Sequence, residues 1–223
     1  MIVISLASDT AIIRQALSTP MNDTSAAEGK VDRPRRGLPG QTRERLLEAA
    51  AEVFNRVGYH GTDSNQIAHQ AGYATGTFYK HFKDKKELFL AVYERWVSSE
   101  WQAVSAAIET GGTPAQIARA LVQVTIDFHQ KGRGLRSSLQ VLVSSDPDVR
   151  RFYRQQRRKQ LDTMARIAKD IGAPVQTREE NAIHLYMTER VCDAIANGEP
   201  ASLGLDRKTL IEGLVRRVEA LLR

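Results

Sequence analysis

Residues 63–82 read Asp-Ser-Asn-Gln-Ile-Ala-His-Gln-Ala-Gly-Tyr-Ala-Thr-Gly-Thr-Phe-Tyr-Lys-His-Phe. Ile67, Ala68 and Ala71 fall on one face of a short helix, and Gly72 supplies the positive φ that closes it. Phe78 and Phe82, four residues apart, give a second helix its buried edge. Two short helices hinged at a glycine form a helix-turn-helix pattern. The second one starts with Thr75, Gly76 and Thr77 and turns apolar only at Phe78. A helix entering a DNA major groove wants that order, short polar groups where base edges lie and apolar ones where it docks on its own bundle.

The docking partner lies just upstream. Leu46, Leu47, Ala50, Val53, Phe54 and Val57 recur at helical spacing, with Thr42 placed to cap this first helix and Gly58 to end it. Asp63 with Gln66, and Asp84 with Glu87, have capping-box spacing for two further helices, the second running through Leu88, Phe89, Val92, Trp96 and Val104 toward Gly111 and Gly112. Thr113 and Pro114 open another, broken over residues 131–134. A short helix over 135–143, a long one from Asp146 and Pro147 to Gly172, and two closing helices over 178–197 and 206–222 complete the reading. Strand patterns are nearly absent, so the predicted class is all-α.

A chain of 223 residues with 42% hydrophobic residues can bury an ample core. Its single cysteine, Cys192, excludes an internal disulfide framework and suits a reducing cytoplasm. No apolar run approaches the ~20 residues that span a bilayer, so no membrane role is expected. Met1 is followed by Ile2, Val3 and Ile4, but no basic residue precedes them and Asp9 interrupts, which is wrong for a secretory signal. Residues 21–40 are rich in Ser, Thr, Asn, Asp, Gly and Pro and read as a disordered lead-in, with Met21 an alternative start. Arg33, Arg35 and Arg36 within it form either a basic arm for phosphates or a solubilising tail.

The net charge of +6 is unevenly placed. Residues 41–95 carry eight basic and seven acidic side chains, whereas residues 131–159 carry nine basic ones against Asp146 and Asp148. Bulk charge therefore does not itself argue for DNA binding by residues 41–95.

Gly58-Tyr59, Ile67-Ala68, Ala71-Gly72, Gly76-Thr77-Phe78-Tyr79, Phe82 and Lys85-Lys86-Glu87-Leu88-Phe89 stand in register over residues 42–89. In this stretch the chain closely resembles the DNA-binding domain of TetR-family transcriptional regulators. The resemblance implies an N-terminal helix-turn-helix domain at 41–87, behind an extension at 1–40, and an effector-binding and dimerisation domain at 88–223. It implies base reading by Thr75, Gly76 and Thr77 with Lys80 farther along, and phosphate anchoring by Ser64, Asn65, Tyr79, His81, Lys85 and the backbone amide of Thr42. Hydroxyl, amide and ammonium groups all donate to phosphate oxygens. Tyr79 has a second reading, as a packed aromatic. One departure stands out: Ala74 occupies the position where family members usually place a polar cap such as Ser. The missing bond is worth ~1 kcal/mol, and the helix start is open to a shift of one residue, with Thr75 as the cap.

By the same resemblance the partners are a palindromic double-stranded operator, a second copy of the chain and a small-molecule effector that releases the DNA. Repression by occluding polymerase is the expected outcome. An activator or broad DNA binder of the same fold is the alternative, and a helical carrier or enzyme is the rival from another class. The stripes Ile183, Met187, Val191, Ile195 and Leu210, Leu214, Val218 are expected to form a four-helix dimer interface, or else to complete the monomer core. Trp96, Trp101, Phe128, His129, His184, Tyr153 and Tyr186 are candidates for lining an effector cavity, each also a candidate for plain core. Arg150, Arg151, Arg154, Arg157, Arg158 and Lys159 crowd one helix, as a solvated face or as an attraction for an anionic effector such as an acyl thioester. No catalytic, metal-binding or cofactor constellation has usable spacing: the five histidines are scattered and Cys192 has no histidine near it in sequence.

Overall fold

The protein is described over residues 39–223 by a computed structural model. The predicted lead-in, the basic arm at Arg33, Arg35 and Arg36 and the alternative start at Met21 lie outside these residues. Every regular element among the described residues is a helix. In order they are α1 (Pro39–Val57), α2 (Ser64–Gln70), α3 (Thr75–Phe78), α4 (Lys85–Glu109), α5 (Pro114–Lys131), α6 (Arg133–Ser145), α7 (Pro147–Asp170), α8 (Arg178–Ala196), α9 (Glu199–Ser202) and α10 (Arg207–Ala220).

Short polar caps set most of the starts. Asp63, Asp84 and Asp206 each accept a hydrogen bond from the amide three residues on, at 2.8 to 2.9 Å. Thr113 with Gln116 and Thr177 with Glu180 form reciprocal capping boxes. At α4 the box is displaced by one residue, because Glu87 reaches back to the amide of Lys83 at 2.6 Å. Gly72 has φ +79° and closes α2 as expected.

Four boundaries differ from the sequence reading. The first helix begins at Pro39, so Thr42 is not its cap but a buried residue inside the first turn; a proline at the first helical position lacks only an amide that the helix would leave free. The third helix is regular only to Phe78. Beyond it Lys80 bonds to Thr77 and His81 to Phe78 at three-residue spacing, so 79–81 is turn, closed by the four-residue bond from Phe82 to Phe78 at 3.0 Å. The break near 131–134 shrinks to Gly132 alone, and α6 starts at Arg133. The one-turn α9 follows Gly198, whose φ is +72°, and was not expected.

Two apolar clusters hold the helices. The first joins Leu46, Val53 and Phe54 of α1, Ile67 of α2 and Phe78 of α3 to Phe89 and Val92 of α4, Leu135 and Leu139 of α6 and Val149 of α7. The second joins Ala118, Val122 and Ile126 of α5, Cys192 and Ile195 of α8, and Leu214 and Val215 of α10. The first cluster runs straight across residues 87 and 88. The packing of the helix-turn-helix is thus continuous with α4 and α6.

Candidate functional site

Ala74 occupies the N-cap position of α3 with extended backbone and no side-chain capping bond. Thr75, Gly76 and Thr77 are therefore the first three helical residues, which settles the one-residue ambiguity. Phe78 is fully buried and Phe82 nearly so, at 2% exposure, and Arg43 of α1 lies over the Phe82 ring at 5.1 Å. With that face held down, Gly76 and Lys80 are exposed and Thr75 and Thr77 half-buried on the other side. A Cβ built on Gly76 would meet no atom within 4 Å. Nothing among the described residues requires a glycine there.

The expected anchors separate into two groups. Ser64 and Asn65 are the first two residues of α2, where helical amides have no partner in the helix, and Asp63 takes up the amide of Gln66. Tyr79 is 56% exposed, so its ring is not core packing. His81 is half-buried at the end of the same turn. Lys85 behaves differently. Its Nζ donates to the carbonyls of Tyr59 and Thr62 at 2.7 and 2.6 Å and lies 4.2 Å from the centre of the Tyr59 ring. Burial there lowers its pKa below the ordinary lysine value. This ammonium fastens the α1–α2 turn. Thr42, at 6% exposure, has little surface to offer either.

Residues 46–92 match the model of "Bacterial regulatory proteins, tetR family", and these are the residues that build the module just described. Over these residues the chain carries the TetR-family domain. Over 110 residues it is 41% identical to the HTH-type transcriptional activator FasR of Mycolicibacterium smegmatis, covering 49% of this chain and 50% of that protein. The chain spans about half the length, or less, of the curated relatives it matches. Among solved structures, SCO4454, a TetR-family regulator from Streptomyces coelicolor, superposes with a TM-score of 0.60 at 22% identity, covering 82% of this chain and 95% of that one. A regulator from Saccharomonospora viridis in complex with choline does so with a TM-score of 0.58 at 18% identity, covering 81% and 95%. These likenesses establish the fold of the whole described region, and the relatives are regulators rather than enzymes.

Behind the TetR-family reading module, α4, α5, α7, α8 and α10 enclose a cavity of about 170 Å³. Trp101, Val104, Ile108, Leu121 and Ile167 form apolar walls, and Glu100, Gln160, Asn181, His184, Thr188 and Glu189 add polar groups. Of the expected lining residues the structure brings Trp101 and His184 to the cavity. Trp96 and Phe128 instead pack edge to face at 6.2 Å beside the α5–α6 junction, where a Cβ on Gly132 would overlap the Trp96 indole. His129 is buried in an ion network, Tyr153 accepts from Arg157 at 2.6 Å, and Tyr186 is 52% exposed on the outer face of α8. An aromatic at helical spacing says that a face is buried, not which of two cavities or seams it faces.

The polar residues missed from sequence belong to that ion network. Arg157 makes a bidentate pair with Glu189, both buried, and also donates to Gln160 at 3.0 Å. Arg136 Nε donates to Asp193 at 2.6 Å, and His129 Nδ1 lies 2.8 Å from the same carboxylate. His129 Nε2 lies 3.4 Å from Glu100. Burial alone would push the His129 pKa down, but the bond to Asp193 and the neighbouring Glu100 more than offset it, and it stands above the ordinary imidazole value. Burial works against the Glu189 carboxylate too, yet Arg157 holds its pKa below the usual range. The only sequence signal was charge on apolar stripes: Glu100 next to Trp101, and Glu189 two positions from Met187.

The Arg-rich helix thus splits. Arg157 is internal, Arg150 caps α6 by donating to the carbonyls of Val143 and Ser144, and Arg151, Arg154, Arg158 and Lys159 are exposed. The expected dimer stripe splits as well. Ile183 is 63% exposed, and Met187, Val191 and Leu210 border an open groove with Leu205 and Gly213. Ile195 and Leu214 are buried in the chain's own second core, and Val218 lines the cavity. These three are corrected from interface to interior.

Proposed function

We propose that the chain works as a homodimeric, ligand-responsive regulator that reads a palindromic operator with the first turn of α3. The observation that supports this most directly is the division of α3: Phe78 and Phe82 are locked into the core while Thr75, Gly76, Thr77 and Lys80 are left to the outside. Ser64, Asn65, Tyr79 and His81 flank that turn as donors to phosphate. Lys85 and Thr42 are left out of the contact set, for the reasons given above.

The second copy docks through the outer stripe of Ile183, Tyr186, Met187, Val191 and Leu210. Ile183 and Tyr186 are exposed and Met187, Val191 and Leu210 half-buried beside them, and an apolar row open to water suits an isologous interface. Dimerisation sets two reading helices about 34 Å apart, one turn of DNA. A small molecule in the α4–α8 cavity then biases the spacing of the two heads, because the cavity residues Glu100 and Trp101 lie on α4, whose first half is core of the reading module. One structure of the same fold was solved with choline, so a small ligand has precedent in the architecture.

Repression follows where the operator overlaps a promoter. A second reading, activation, is favoured by the relative named as the activator FasR, and it needs only an operator placed upstream. The experiment is selection of bound sequences from random DNA with the full chain, followed by anisotropy titration. Thr77→Ala and Tyr79→Ala should lose retention of the selected DNA while size-exclusion light scattering still reports a dimer. Unchanged retention in both variants contradicts the proposal, and footprinting on the native promoter separates repression from activation.

A further inference from the structure

Among the described residues the cavity's lining carries two carboxylates, Glu100 and Glu189, and no lysine or arginine. The cations close to it are committed elsewhere. Arg157 has Glu189, Gln160 and Tyr153 as partners, and Arg136 has Asp193 and Glu189. Glu189 is thereby neutralised by a bidentate pair. Glu100 is paired less completely: at 6% exposure its carboxylate has His129 Nε2 at 3.4 Å as its ionic neighbour, without an aligned hydrogen bond, and His129 is shared with Asp193. A carboxylate has about four acceptor positions, so Glu100 can accept from a further donor in the cavity.

We infer that the ligand of this cavity is a compact hydrophobic amine, its ammonium group meeting Glu100 and its apolar body lying among Val104, Ile108, Leu121 and Ile167. This rests on the proposed reading of the cavity as the effector site. An anionic effector, attractive on the sequence because of the Arg-rich helix, has no lysine or arginine to meet among the described lining residues, only the His184 imidazole, and would face the Glu100 carboxylate. The volume of about 170 Å³ sets the size: an engineered apolar cavity of about 150 Å³ holds benzene, so one ring with a short chain fits.

Three probes of matched shape test this on the full chain: 2-phenylethylamine, 2-phenylethanol and phenylacetate, by calorimetric titration and thermal shift. The amine is expected to bind at least about tenfold more tightly than phenylacetate, the scale of one charge-assisted hydrogen bond. Glu100→Gln should erase that preference while leaving the alcohol within about twofold. Should Glu100→Gln fold poorly, Ala168→Phe fills the apolar part of the same cavity and should abolish binding of amine and alcohol alike. Equal or tighter binding of phenylacetate, no saturable binding of the amine, or an amine preference that survives Glu100→Gln overturns the inference. Anisotropy on selected DNA keeps the two ideas apart. If the amine binds without changing DNA affinity, the effector reading fails and the ligand class stands; if an anion releases the DNA from this cavity, the ligand class fails and the regulator stands.

Discussion

Asn55 of α1 holds Gly134 of α6: its Oδ1 accepts from the Gly134 amide at 2.8 Å, while its Nδ2 donates to the Lys131 carbonyl at 2.5 Å. One carboxamide thus joins the reading module to both sides of the α5–α6 junction. The approach is so close that a Cβ on Gly134 would collide with the Asn55 backbone carbonyl. The opposite face of α6 sends Arg136 into the ion network around Asp193, so α6 touches both the network and α1.

Asn55→Ala should cost about 1–2 kcal/mol in urea unfolding, the loss of its hydrogen bonds. Gly134→Ala should cost more, about 2–3 kcal/mol, since backbone must move to admit the methyl group. In both variants the effect of a bound ligand on DNA affinity should shrink, measured by anisotropy with and without the ligand.

Gly76→Ala should do the reverse of Gly134→Ala. With open space around that position, the fold gains about 0.5–1 kcal/mol from the helix-favouring residue. Affinity for selected DNA should fall by about tenfold or more, the scale of one spoiled base contact. Thermal unfolding and anisotropy on the same sample check both halves.

The two lysines near the reading helix should part company in salt. Lys80→Ala should lower the slope of log affinity against log salt by up to about one, the scale of one cation withdrawn from the DNA, and relax the base preference it reads. Lys85→Ala should leave the slope alone and destabilise the protein by about 2 kcal/mol, because its ammonium serves the carbonyls of Tyr59 and Thr62.

His129 has a pKa raised above its ordinary value in the folded protein, and the unfolded value is about 6.5. Its contribution to stability is therefore complete below pH about 6.5 and lost as pH rises through the folded value. Asp193, held low by His129 and Arg136 against the opposing effect of burial, contributes above its unfolded value of about 3.9 and loses that only in strong acid. Urea midpoints from pH 6 to pH 9 should decline for the native chain and flatten in His129→Gln.

Local chemistry explains what was legible in the sequence. Caps, glycines and apolar periodicity placed nearly every helix, because Asp63, Asp84, Thr113 and Gly72 act on their own neighbours. The reading turn was legible for the same reason. The internal partners of Lys85, Tyr59 and Thr62, lie 26 and 23 residues away, beyond the reach of any local pattern. The cavity was misplaced because Trp96 and Trp101, five residues apart on α4, face different neighbours. Ile195 and Leu214 sit on stripes whose period shows burial but cannot say whether the covering surface comes from the same chain.

The most direct test of the account is the base preference of the full chain, measured by selection from random DNA for the native protein and for Thr75→Ala and Thr77→Ala side by side. The account predicts a palindrome with half-sites about 34 Å apart, whose preferred bases change within each half-site in the two variants while the spacing stays. Selection of no sequence, or of the same bases with unchanged preference in both variants, would contradict it.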